Sequence, residues 1–217
     1  STLYHHHLLQ HLLSSFTMEP LPLTHANLLD EKFAKLCDTQ IIVAGKALNA
    51  VRAIIEVRLP QLLNSSLAKK KEKKGQLTVE YKGDQVITLD TMSQLLAFAY
   101  TGDIAWGKLQ LRDIMILYMA ADKLEIQQVP FLCERYLKTV LALPSFFEML
   151  KTAHALNLAP IKSLCLDYAM LEYNKIITDR SGISILGLDL FQEISLLASQ
   201  VRVPYQSLSQ SLGGSRR

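Results

Sequence analysis

The chain has 217 residues, 49% hydrophobic and 20% charged, enough for one large folded domain or two small ones with a genuine core. The formal charge of +3 is modest and much of the basic excess sits in AKKKEKKG, residues 68–75, so a uniformly basic binding face is not implied. No apolar run reaches the ~20 residues that a membrane-spanning helix needs and no leader pattern opens the chain, so no membrane span is expected and the setting implied is cytoplasmic or nuclear.

The chain opens on Ser-Thr-Leu without Met and reads as a piece of a longer protein. Cys37, Cys133 and Cys165 are odd in number, widely spaced and without a C-x-x-C pair, which indicates free thiols and neither a disulfide framework nor a zinc site.

Residues 4–16, YHHHLLQHLLSSF, set Leu8, Leu9, Leu12 and Leu13 at helical spacing inside an N-terminal extension covering 1–23. His7 and His11 would share one face of that helix, but no carboxylate or cysteine completes a ligand set, so no metal is expected. After Pro20 and Pro22, Thr24 or Asn27 offers an N-cap to a helix with a narrow apolar stripe of Leu28, Leu29, Phe33 and Leu36. That stripe must face something.

TQIIVAGKALNA, from residue 39, is a hairpin signal in which Ile41, Ile42 and Val43 lead into a Gly45-Lys46 turn. VRAIIEVRLPQLLNSSL returns to helical spacing, and Pro60 divides it into two short helices because proline is tolerated only in the first turn. The lysine run then reads as a solvated loop closed by Gly75. Next, QLTVEY alternates Leu77, Val79 and Tyr81, the pattern of a strand with one buried face. A turn at Lys82-Gly83-Asp84 leads to VITL, and Asp90 or Thr91 caps a helix carrying Met92, Leu95, Leu96 and Ala99 that Gly102 stops.

From residue 110 the chain reads as helical, with Pro130, Pro144 and Pro160 near the starts of successive segments. No repeat motif is shared between them, which favours a plain bundle over a solenoid. A last helix in LGLDLFQEISLLASQV precedes a polar tail, 204–217, expected to be flexible. The fold class is therefore α+β: a small sheet with helices, followed by an all-helical unit.

Chemistry is sparse. The chain lacks G-x-x-x-x-G-K-[ST], G-x-G-x-x-G, G-x-S-x-G and H-E-x-x-H, and His154 has no nucleophile or acid beside it in sequence, so no catalytic residue and no cofactor is expected. The lysine run could neutralise phosphates, but no aromatic residue interleaves it, and a solvated segment without nucleic-acid binding is the preferred reading.

DTQIIVAGKALNAVRAIIEVRLPQLL, LLAFAYTGDI and MAADKLEIQQVPFLCERYL, in this order and spacing, resemble the BTB/POZ family across 24–140. Residues 141–203, with FFEMLKTAHALNLAPIKSLCLDYAMLEYNKII, resemble a shortened BACK region of the kind found in Cullin-3 substrate adaptors such as the speckle-type POZ proteins and a kelch-linked adaptor of Ras GTPases. The resemblance implies a scaffold that binds itself and Cullin-3 and holds an unidentified substrate through a region outside this chain. Its rival is an oligomerisation module of transcriptional or cytoskeletal assembly without cullin binding. The positions implied for a dimer interface are Leu28, Leu29, Phe33 and Ile54, for which an ordinary intramolecular core is the competing reading.

The positions implied for cullin binding are Lys70 and Glu72, with Gln110, Asp113, Tyr118, Phe146 and Phe147 completing the surface; the two phenylalanines equally suit a core. Two departures from the family pattern stand out. Lys70 replaces the apolar residue of a hydrophobic-x-Glu motif, and Val51 replaces the histidine usual before the basic residue at Arg52.

Overall fold

The computed structural model describes residues 36–212 and the side chains up to residue 200. It divides into two compact units, Ser1–Cys133 and Glu134–Arg217. The N-terminal extension, its histidines and Leu28, Leu29 and Phe33 lie outside the described residues.

In the first unit β1 (Thr39–Val43) and β2 (Lys46–Ala50) form the expected hairpin, closed by Ala44 at φ 49° and Gly45 at φ 81°. Two consecutive positive φ angles define the tight turn whose twist matches paired strands. Helices α1 (Arg52–Arg58) and α2 (Gln61–Asn64) follow, divided at Pro60 as the sequence predicts.

The lysine run corrects the reading of a loop. It forms β3 (Ala68–Lys73), antiparallel to β4 (Gln76–Tyr81), with Lys74 and Gly75 at φ 52° and 80° closing a second hairpin. An edge strand needs no buried apolar face of its own, so a run of lysines can extend a sheet that β4 has already anchored.

The sheet order is β2-β1-β4-β3, with β1 and β4 parallel and Ile41 opposite Val79. Parallel pairing demands a crossover, which α1, α2 and β3 supply. Ile41, Val43, Val79 and Tyr81 point to the same face and are at most 1% exposed. Burial of such side chains stabilises by about 1.5–3 kcal/mol each. The Tyr81 hydroxyl donates to the Leu62 carbonyl at 2.6 Å, which satisfies its one polar atom inside that core and ties α2 to the sheet.

Helix α3 (Leu89–Thr101) starts two or three residues earlier than expected. Thr88, not Asp90 or Thr91, is the N-cap: its hydroxyl accepts from the Thr91 amide at 3.1 Å, and Thr91 Oγ1 accepts from the Thr88 amide at 2.9 Å. This reciprocal pair satisfies two donors that a helix start leaves free. Gly102, at φ 75°, ends the helix as predicted. Helix α4 (Leu111–Lys123) follows, and the division between units, after Cys133, falls within α5 (Gln128–Val140).

The second unit contains α6 (Leu143–Ala155), α7 (Ala159–Leu171), α8 (Tyr173–Thr178), α9 (Arg180–Leu186) and α10 (Leu188–Leu212). The segment expected as one helix through Ile177 breaks at Glu172, whose φ of −106° and ψ of 17° leave the helical region. Asp179 then caps α9 by accepting from the Gly182 amide at 2.9 Å. Helix α10 is described through Leu212, past residue 204 where a flexible tail was expected.

Phe146, Phe147, Leu150, Ile161 and Ile194 are at most 2% exposed and form the core of this unit. Cys165 lies among them as a free thiol whose pKa burial raises to about 12, so it packs as a small apolar residue and is not a nucleophile at neutral pH.

Candidate protein-interaction surface

Helix α1 is anchored at both ends and leaves an apolar face uncovered. At its start the Asp38 carboxylate accepts from the Arg52 amide at 2.7 Å, placing negative charge where the helix dipole favours it. One residue earlier, the Val51 amide donates to the Tyr100 hydroxyl at 2.7 Å. At the other end the Arg58 guanidinium donates to the Ala99 carbonyl at 3.1 Å. Ile55 is the residue that α1 buries. Ile54 is half-buried and Val57, three positions on and therefore on the same side, is 83% exposed. Val57 is a position that sequence reasoning missed, although its helical spacing from Ile54 marks it.

Of the cullin-facing positions implied by resemblance, the structure brings some together and withdraws others. Gln110 and Asp113 are exposed at the start of α4, where the Gln110 amide donates to the Asp113 carboxylate at 3.1 Å. Asp113 also lines a groove of about 420 Å³ with Thr88, Asp90, Gln94, Leu109 and Leu117. Tyr118 is only 8% exposed, because Ile114, Met115, Leu117, Tyr118 and Ala121 make one buried side of α4. It belongs to the interior of the isolated chain. Phe146 and Phe147 take the core alternative: they are 0% and 2% exposed and stack edge to face at 5.1 Å.

Lys70 and Glu72 stand on the face of β3 that continues the buried face of β4, since Lys70 is opposite Val79 and Glu72 opposite Leu77. Both are exposed, because β3 is the last strand of the sheet. Lys70 Nζ donates to Asn64 Oδ1 at 2.9 Å, and Arg52 Nη1 approaches Glu72 at 3.4 Å. These polar partners give the charge of Lys70 a place on the surface that an apolar residue would not need.

No group of three potential metal ligands occurs among the described residues, and His154 is exposed in the last turn of α6. Tyr100, Thr101 and Gly102, the most motif-like triplet in the chain, have structural partners: Tyr100 holds the Val51 amide, Thr101 Oγ1 donates to the Ala97 carbonyl at 2.8 Å, and Gly102 ends α3.

The family model of the BTB/POZ domain matches residues 27–141, and the chain belongs to the BTB/POZ family, whose domains serve protein–protein interaction and oligomerisation. A BTB/POZ domain-containing protein of Arabidopsis thaliana is 29% identical over 86 residues, covering 40% of this chain and 30% of that protein. Influenza virus NS1A-binding protein homolog B of Danio rerio is 29% identical over 106 residues, covering 49% of this chain and 16% of that protein. The chain thus spans less than a third of the length of these curated relatives. Among solved structures, the BTB domain of human gigaxonin is similar at 22% identity and a TM-score of 0.38, over 53% of this chain and 92% of that one. The BTB domain of zebrafish PATZ1 is similar at 18% identity and a TM-score of 0.40, over 60% and 93%.

Proposed function

We propose that this chain is the assembly part of a substrate adaptor, dimeric through α1 and the segment before residue 36, that recruits Cullin-3 to a ubiquitin ligase in the cytoplasm or nucleus and catalyses nothing itself. The observation that carries the self-association is the apolar side of α1, where Val57 is 83% exposed beside Ile54 on a helix fixed at both ends. Exposed apolar side chains on one side of a helix are what homodimer interfaces bury. Cullin recruitment is supported by the BTB/POZ family, by the helical unit that follows it, and by Gln110 and Asp113 exposed beside a groove. The substrate would be held by a region outside this chain.

Isothermal titration with the Cullin-3 N-terminal domain tests the reading. The expected result is saturable heat at one cullin per protomer, strengthened by Lys70→Met, which restores an apolar side chain at the motif position. No heat at high micromolar concentration leaves the rival, an oligomerisation module without a cullin partner, which the charge at Lys70 favours.

A further inference from the structure

Strand β3 is a charged edge with a built-in register. Among the described residues it pairs only with β4, so the backbone groups on its outer side face away from the sheet. Lys69, Lys71 and Lys73 stand opposite Glu80, Thr78 and Gln76, on the solvent side of the sheet, spaced about 7 Å apart as alternate residues of a strand are. Those three, with Lys74 in the turn, are exposed and have no ion-pair partner among the described residues, whereas Lys70 and Glu72 on the other face are already bonded.

Lysine on an edge is a common device against strand-to-strand association. Here it also selects. A second copy of the same edge would set like charge against like charge and is repelled. An extended segment with acids at alternate positions meets a lysine at each one while its backbone completes the outer hydrogen bonds. Nucleic acid is the poorer match, because the cations run along a single strand edge with no aromatic side chain among them for stacking.

We propose that the outer edge of β3 is a docking site for an extended acidic peptide segment of a partner protein, which adds as a fifth strand and is read by Lys69, Lys71 and Lys73. The site shares strand β3 with Lys70 and Glu72, the positions assigned to Cullin-3, but the proposal does not rest on that reading and is tested without cullin.

The experiment is fluorescence anisotropy of the full chain with a short labelled peptide alternating glutamate and valine, against the same peptide with every backbone nitrogen methylated. Saturable binding of the first and at least roughly tenfold weaker binding of the second are expected, because methylation removes strand pairing and keeps the charge. Lys69→Glu with Lys71→Glu and Lys73→Glu, confirmed folded by circular dichroism, should weaken the first peptide roughly tenfold or more, and added salt should weaken it in the wild type. Equal binding of the methylated peptide, absence of binding, or tighter binding of a duplex RNA of equal charge would each overturn the proposal.

Discussion

The Val51 amide and the Tyr100 hydroxyl, 49 positions apart in sequence, meet at 2.7 Å and fasten the start of α1 to the end of α3. Tyr100 is fully buried, and burial raises its pKa, so it remains a neutral phenol throughout the physiological range. The contact does not depend on the side chain at Val51. It is the backbone of that residue which is held, and Val51 makes no side-chain cap to α1. Tyr100→Phe removes the acceptor and leaves a part-buried amide unpaired, at a cost of about 1–2 kcal/mol in urea unfolding.

Gly182 packs against Phe147 with no room for a side chain. A Cβ at Gly182 would lie 2.2 Å from the Phe147 ring, which is itself buried and has no room to retreat. Helix propensity alone favours Gly182→Ala by about 1 kcal/mol, while overpacking costs about 1–3 kcal/mol. With an overlap this large the second effect wins. The variant should unfold at lower urea than wild type, and adding Phe147→Leu should recover part of the loss.

Asp84 gives the first unit a dependence on acid. Its carboxylate pairs with Lys123 and accepts from the amides of Ile87 and Val86 at 2.7 and 2.8 Å, and these contacts hold its pKa down at about 2. A carboxylate with a depressed folded-state pKa adds stability that is complete above its ordinary range near 4 and is lost as pH falls toward 2. Asp84 and Lys123 are 41% and 42% exposed, so screening limits the pair to about 1 kcal/mol or less. Asp84→Asn should flatten the thermal-stability profile between those pH values, lowering stability at pH 7, where the wild-type contribution is complete, by about 1 kcal/mol or less and changing little near pH 2.

Much of the fold was legible because burial writes period into sequence. The alternation of Leu77, Val79 and Tyr81 and the run Ile41 to Val43 marked the two central strands, since both put side chains on the single face that the helices cover. Strand β3 was illegible for the same reason: with no buried face it has no apolar period, and its one signal is the Lys74-Gly75 turn shared with β4. The candidate surface was legible only in part. Ile54 and Val57 carry helical spacing, but Phe146 and Phe147 show that a stripe for a core and a stripe for a partner have the same pattern. The cap at Thr88 was misplaced because Thr91 and Asp90 carry equally good capping side chains, and only the backbone selects among them.

The uncovered side of α1 predicts its own behaviour. Val57→Asp, at an exposed position, should leave the fold intact and convert a dimer into a monomer by light scattering, since a buried unpaired carboxylate opposes association by several kcal/mol. Ile54→Asp should do the same with some loss of stability, because that residue is half-buried within the chain. A Val57→Asp dimer of undiminished affinity would move the interface elsewhere.

The most direct test of the adaptor account is the mass, by size-exclusion chromatography with light scattering, of the wild-type chain mixed with an excess of the Cullin-3 N-terminal domain. The account predicts one complex of two chains and two cullin domains, reduced to one of each by Val57→Asp. A chain that elutes as a monomer, separate from the cullin domain at every concentration tested, would contradict it.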